Sequence, residues 1–105
     1  MTLTRSFKET VKARAEQDAA FREALLREGV ECLLAGDIET GKAVLRDYIN
    51  ATIGFESLSE ATHTPAKSLM RMFGPKGNPQ ASNLFAVIAH LQTQMGVQLE
   101  VRTAK

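Results

Sequence analysis

The chain has 105 residues, 44% hydrophobic and 24% charged, which fits one ordinary globular domain and excludes wholesale disorder. Its 13 Lys and Arg against 12 Asp and Glu give a formal charge of +1, so no polybasic coat for nucleic acid is present. A small binding face is still compatible with that total, because charge can be segregated along the chain.

The first segment, about Thr4 to Ala35, has a helical pattern. Phe21, Leu25, Leu26, Val30, Leu33 and Leu34 recur at spacings of three and four and so form one apolar stripe. Before Phe21 only Phe7 and Val11 stand among alternating charges, so the first 15 or so residues are expected as a separate helix, frayed or held by a partner. Cys32 is expected as a small buried residue on this segment, since a lone cysteine makes no intrachain disulfide. Gly36 supplies a left-handed stop and Asp37 a cap for a second helix, expected to run to about Ile53. Its apolar positions are Val44, Leu45, Tyr48, Ile49 and Ile53, and Gly41 inside it costs about 1 kcal/mol relative to Ala.

Gly54 breaks that pattern, and a short helix from Phe55 to about Thr62 follows. After the turn at His63, Thr64 is the expected cap of another helix, with Pro65 in its first position. Leu69, Met72 and Phe73 give this helix an apolar face. Gly74-Pro75-Lys76-Gly77-Asn78-Pro79 is loop. Ser82 is the expected cap of a last helix with Leu84, Ile88, Leu91 and Met95 on one side, closed by Gly96. Val97, Leu99 and Val101 alternate with Gln98, Glu100 and Arg102, the period of a short half-buried strand.

Two short helices joined by a three-residue turn have the form of a helix-turn-helix, whose second helix enters the major groove of DNA. That motif needs an apolar anchor on its first helix, here Leu58, and a small residue at the crossing, here Ser59. It needs two inward anchors three apart on the second helix, here Leu69 and Met72. Pro65, Ala66, Lys67, Ser68, Met70 and Arg71 are then expected to face outward. From Ala61 to Leu99 there is no acidic residue, while Lys67, Arg71 and Lys76 are all basic, as a phosphate-bearing partner requires. By contrast the first 36 residues carry six basic and six acidic side chains that cancel.

From Ala20 to Val101 the chain also resembles the addiction-module antidote proteins, a group of lambda-repressor-like (xenobiotic-response-element) helix-turn-helix regulators. The matching stretches are Ala35-Gly36-Asp37 leading into Val44-Leu45-Arg46-Asp47, then Leu58-Ser59-Glu60-Ala61-Thr62, then Pro65 to Phe73. Gly77-Asn78-Pro79 ahead of Leu84-Phe85-Ala86-Val87-Ile88, and Gly96-Val97-Gln98-Leu99, complete the match. The resemblance implies a DNA-binding repressor, often dimeric, encoded beside a small toxin that it neutralises. Family members usually carry Gly in the inter-helix turn where this chain has His63, so a positive φ is expected at His63.

The expected architecture is therefore all-α, of about five helices. A helical extension at 1–36 precedes a helix-turn-helix domain at 37–105 that ends in a short strand, and the DNA-binding core runs from about Ile38 to Met95. The expected DNA-contacting residues are Thr64, Pro65, Ala66, Lys67, Ser68 and Arg71, with Lys76 and Asn78 reaching the backbone from the loop. Arg71 suits a bidentate contact to guanine O6 and N7. The expected partners are a double-stranded DNA operator, a second copy paired through Val97–Arg102, and a small toxin. The rival expectation is a toxin-neutralising interaction module without DNA binding, which works through Phe21–Leu34.

No enzyme, cofactor or metal is expected. His63 and His90 have no carboxylate or cysteine at metal spacing, and Gly74-Pro75-Lys76-Gly77 is too short for a nucleotide-binding loop. One Tyr and no Trp leave little surface for stacking single-stranded bases. With no long apolar run and no signal-peptide core at the start, the expected location is cytoplasmic, without a membrane partner.

Overall fold

A computed structural model describes the backbone of residues 3–105 and the side chains of residues 9–105. Phe7, and two of the six basic residues counted in the first 36, Arg5 and Lys8, lie outside the described side chains. Six helices follow one another: α1 (Leu3–Gln17), α2 (Ala19–Leu34), α3 (Ile38–Ala51), α4 (Phe55–Thr62), α5 (Ala66–Met72) and α6 (Ala81–Met95). No helix is long and apolar enough among the described residues to cross a membrane.

The first helical segment divides at Asp18. This residue takes extended backbone angles, and its carboxylate accepts the amide N–H of Phe21 at 3.1 Å, capping α2. The first stretch is thus a separate helix, as expected, which makes six helices among the described residues. Arg14 braces the junction, with its guanidinium 4.7 Å from the centre of the Phe21 ring. Asp37 caps α3 by accepting from the Thr40 N–H, as expected, and Gly36, Gly54 and Gly96 all take positive φ.

The helix expected to reach Ile53 ends at Ala51, where the Thr52 hydroxyl donates back to the Tyr48 carbonyl. Thr64 does not cap α5: its hydroxyl donates to the Thr62 carbonyl, and Pro65 takes the capping position rather than the first helical one. Ser82 does not cap α6 either. The ladder begins earlier, with Leu84 N–H donating to the Gln80 carbonyl, which places Ser82 inside the first turn.

No strand forms at 97–102 among the described residues. A strand needs a partner ladder, and in the single chain the alternating Val97 and Leu99 simply pack on the core beside Gln92, whose side chain accepts the Leu99 N–H at 2.7 Å.

One core serves α2 through α6. Leu26, Leu45, Tyr48, Ile49, Phe55, Leu58, Leu69, Phe73, Val87, Ile88 and Leu91 are all buried in it. Most of the α2 stripe packs against it, but Leu34, the last residue of α2, is 64% exposed. Cys32, expected to be buried, is only half-buried near the end of α2. Desolvation, then the carboxylates of Glu28, Asp37 and Glu31, push its thiol above the ordinary range, so little reactive thiolate is present at neutral pH.

Gly41, which looked like a weak point in α3, has a steric role instead. A Cβ there would stand 2.7 Å from Leu33 Cδ2 and 3.1 Å from the Gly29 carbonyl oxygen. Gly29 in turn has no room for a Cβ, which would lie 2.8 Å from two carbons of the buried Leu45. The two glycines let α2 and α3 cross at close range, and the packing gained offsets their poor helix propensity.

This crossing predicts a coupling between two sites. Gly29→Ala is expected to destabilise the fold by about 1–3 kcal/mol despite its better helix propensity, because Leu45 cannot move aside. Leu45→Ala alone should cost roughly 2–5 kcal/mol. In the Leu45→Ala background the extra methyl of Gly29→Ala has room, so its penalty should vanish. Urea denaturation of the four proteins checks this; additive losses would refute the close crossing.

Candidate nucleic-acid interface

The α4–turn–α5 unit is built on a short anchoring set. Leu58 on α4 and Leu69 on α5 are fully enclosed, and Met72 packs half-buried against the same core. Phe55 and Phe73 meet across the unit with ring centroids 6.4 Å apart. Ser59, half-buried at the crossing, offers its carbonyl to the N–H groups of both His63 and Thr64. His63 takes the left-handed conformation, φ 55° and ψ 35°, and is the one non-glycine residue with positive φ among the described residues. The tight turn therefore forms without glycine, at the modest cost that an L side chain meets there.

With Leu69 and Phe73 turned inward, the opposite side of α5 is open to solvent. Pro65, Lys67, Ser68, Met70 and Arg71 are exposed, whereas Ala66 and Thr64 are half-buried. Ala66 was expected outward, but it lies about three residues before Leu69 and so shares part of its buried face. Lys67 and Arg71, four apart, project from one side. Neither they nor Lys76 form an ion pair among the described residues. Ser68, Arg71, Met72 and the loop residues Gly77, Asn78 and Pro79 line a notch of about 140 Å³. The structure thus brings Ser68, Arg71 and Asn78 to one place, with Lys76 exposed on the same loop.

What holds this loop is a residue that the sequence reading passed over. Lys42 on α3 is 1% exposed, and its ammonium donates to the carbonyls of Gly74 (2.9 Å) and Gly77 (2.8 Å). The Glu39 carboxylate lies 3.3 Å from the same nitrogen. One turn further along α3, Arg46 donates to the Phe73 carbonyl at 3.2 Å. Two cations thus meet the carbonyl-rich end of α5, where the helix dipole is negative. A sequence signal existed: Lys42 stands three before Leu45 and seven before Ile49, on the apolar stripe of α3, where an ordinary surface lysine has no reason to be.

Gly77 completes the loop. A Cβ on it would lie 1.8 Å from the Arg71 carbonyl oxygen, so the chain can pass this close to the end of α5 only without a side chain. No group of three or more His, Cys, Asp or Glu residues that could hold a metal occurs among the described residues. No known protein family, curated protein or solved structure matches the chain.

Lys42→Met retains the stem's bulk but leaves the Gly74 and Gly77 carbonyls without their donor. It is expected to cost about 2–4 kcal/mol in urea denaturation and to speed amide exchange in residues 74–79 beyond the rest of the chain. Gly77→Ala should cost at least as much, since the loop must leave its seat and lose the same two bonds. Unchanged stability in both variants would show that the loop does not depend on this anchor.

Proposed function

We propose that the chain is a cytoplasmic, sequence-specific reader of double-stranded DNA with a lambda-repressor-like fold, acting as an antitoxin-type repressor beside a small toxin. The observation that carries the reading is the outward side of α5. There Lys67, Ser68 and Arg71 are exposed, the two cations without an ion pair among the described residues, beside a loop that Lys42 pins against the end of the helix. In a helix-turn-helix, α4 braces on the backbone while α5 lies in the major groove. Arg71 reads a guanine edge, Lys67 reaches a base edge or a phosphate, and Thr64 and Ser68 offer hydroxyls. Lys76 and Asn78 hold the flanking backbone, which fixes register without reading sequence.

The rival reading, a toxin neutraliser that does not bind DNA, relies on the stripe from Phe21 to Leu34. Leu26 of that stripe is spent in the core, and Leu25, Val30 and Leu33 pack against it. Salt separates the two. A duplex reader loses affinity steeply as salt rises, whereas an apolar helix-in-groove complex barely responds.

Selection from random duplexes followed by gel-shift titration tests the proposal. Arg71→Ala should lose about 1–3 kcal/mol on the selected site and relax specificity at one position. Lys76→Ala should weaken all duplexes alike and reduce the salt slope by about 1. If both variants bind as the parent does, the face is misassigned. If no duplex is retained at low salt, the DNA reading fails altogether.

A further inference from the structure

The side chains of α5 fall into rows, because residues four apart on a helix stand one above the other. Leu69 and Phe73 form the inward row, each 1% exposed. Lys67 and Arg71 form the row opposite them. Ser68 and Met72 form a third, which lines the notch against the loop at Gly77, Asn78 and Pro79. Ala66 and Met70 are left on the flank away from that loop. Met70 is 48% exposed there, whereas Met72, two residues on, packs against the core. The outward side of α5 thus has an apolar edge, a cationic middle and a hydroxyl-bearing edge, in that order across the helix.

We infer that Met70 recognises the C5 methyl group of a thymine and is a specificity-determining residue of the duplex reader proposed above. The inference rests on that reading. Charge selects the occupant of the apolar edge. Lys67 and Arg71 flank Met70 in a stretch without an acid, Ala61 to Leu99, which fits a polyanion and not an apolar protein surface. Within the major groove the base edges carry hydrogen-bonding groups, and the thymine methyl is the apolar feature among them. A thioether is a weak acceptor and no donor, so contact with that methyl is what Met70 has to offer a base edge. Its unbranched, polarizable chain adapts to the exact position of the methyl. Consecutive Cα atoms are about 3.8 Å apart and stacked bases about 3.4 Å, so Met70 reaches a base within about two pairs of the guanine beside Arg71. The two residues together specify a guanine with a thymine close by, a preference that the cations alone do not supply.

The selected duplex with each thymine replaced in turn by uracil tests this, because uracil lacks only the C5 methyl and keeps every hydrogen-bonding group. For the parent chain, uracil at a particular thymine is expected to raise the dissociation constant about fourfold, the worth of one buried methyl group. That thymine should lie within about two base pairs of the position at which Arg71→Ala relaxes specificity. Met70→Ala should weaken the thymine duplex by at least as much and then bind the thymine and uracil duplexes alike. Met70→Leu and Arg71→Ala, which both keep an apolar side chain at this place, should preserve the distinction. Far-UV circular dichroism confirms that each variant is folded. A parent indifferent to every uracil, or a Met70→Ala variant that still discriminates, overturns the inference while duplex binding itself stands. Indifference of the parent would leave Met70 to a contact with another protein. If no duplex is retained at low salt, the DNA reading and this inference fall together.

Discussion

The arrangement of the outward side of α5 and the loop after it depends on one buried ammonium group. A lysine removed from water is stable only where its protons are taken up, and Lys42 finds the carbonyls of Gly74 and Gly77 with Glu39 at the rim. These acceptors lie more than thirty residues away in sequence, so the contact joins α3 to the loop after α5. Arg46 repeats the device one turn along, at Phe73. A polar core contact of this kind has a narrow geometry, whereas apolar side chains tolerate sliding. It therefore fixes where α5 ends and where Lys76 and Asn78 stand. Gly77 belongs to the same constraint, because its carbonyl reaches Lys42 only if its chain passes against the Arg71 carbonyl.

The close crossing of α2 and α3 sets the other end of this lever. Gly29 and Gly41 bring the helix axes near enough for Leu45 to fill the space between, and Leu45 lies three residues from Lys42 on the same helix. The position of α3 relative to α2 is thus linked by one rigid helix to the position of the loop relative to α5. Stability and the shape of the outward side are not independent in this chain.

Much of this was legible in the sequence, because local rules decide it. The turns at Gly36 and Gly54, the span of α4 and the cap at Asp37 all follow from residue type at a breaker or cap, whereas the positive φ at His63 follows only from the resemblance. The inward set Leu58, Leu69, Ile88 and Leu91 follows from helical period. The two expected caps fail for different reasons: the Thr64 hydroxyl has a competing partner in the Thr62 carbonyl while Pro65 takes the capping position, and at α6 the ladder starts at Gln80, two residues before Ser82. The strand at 97–102 was read from alternation alone, and alternation specifies a face without supplying a partner. Gly41 was read as a propensity cost because helix crossings are invisible along one chain. Lys42 was missed because composition treats a lysine as surface, although its position on an apolar stripe gave it away.

Charge placement connects these observations. Of the cations on α3, Lys42 and Arg46 are both turned to backbone carbonyls rather than standing free on the surface. The outward side of α5 and its loop keeps Lys67, Arg71 and Lys76, in a stretch without acids. On the proposed DNA reading, three cations release few counterions, so a reader built this way draws little from non-specific attraction. It must rely instead on a face held in place before DNA arrives, since ordering a loop at the moment of binding would consume much of a small gain. The two inward-turned cations supply that order. The formal charge of +1 counts Lys42 and Arg46 together with the exposed cations, so the total conceals this division between cations that position the loop and cations on the outward side.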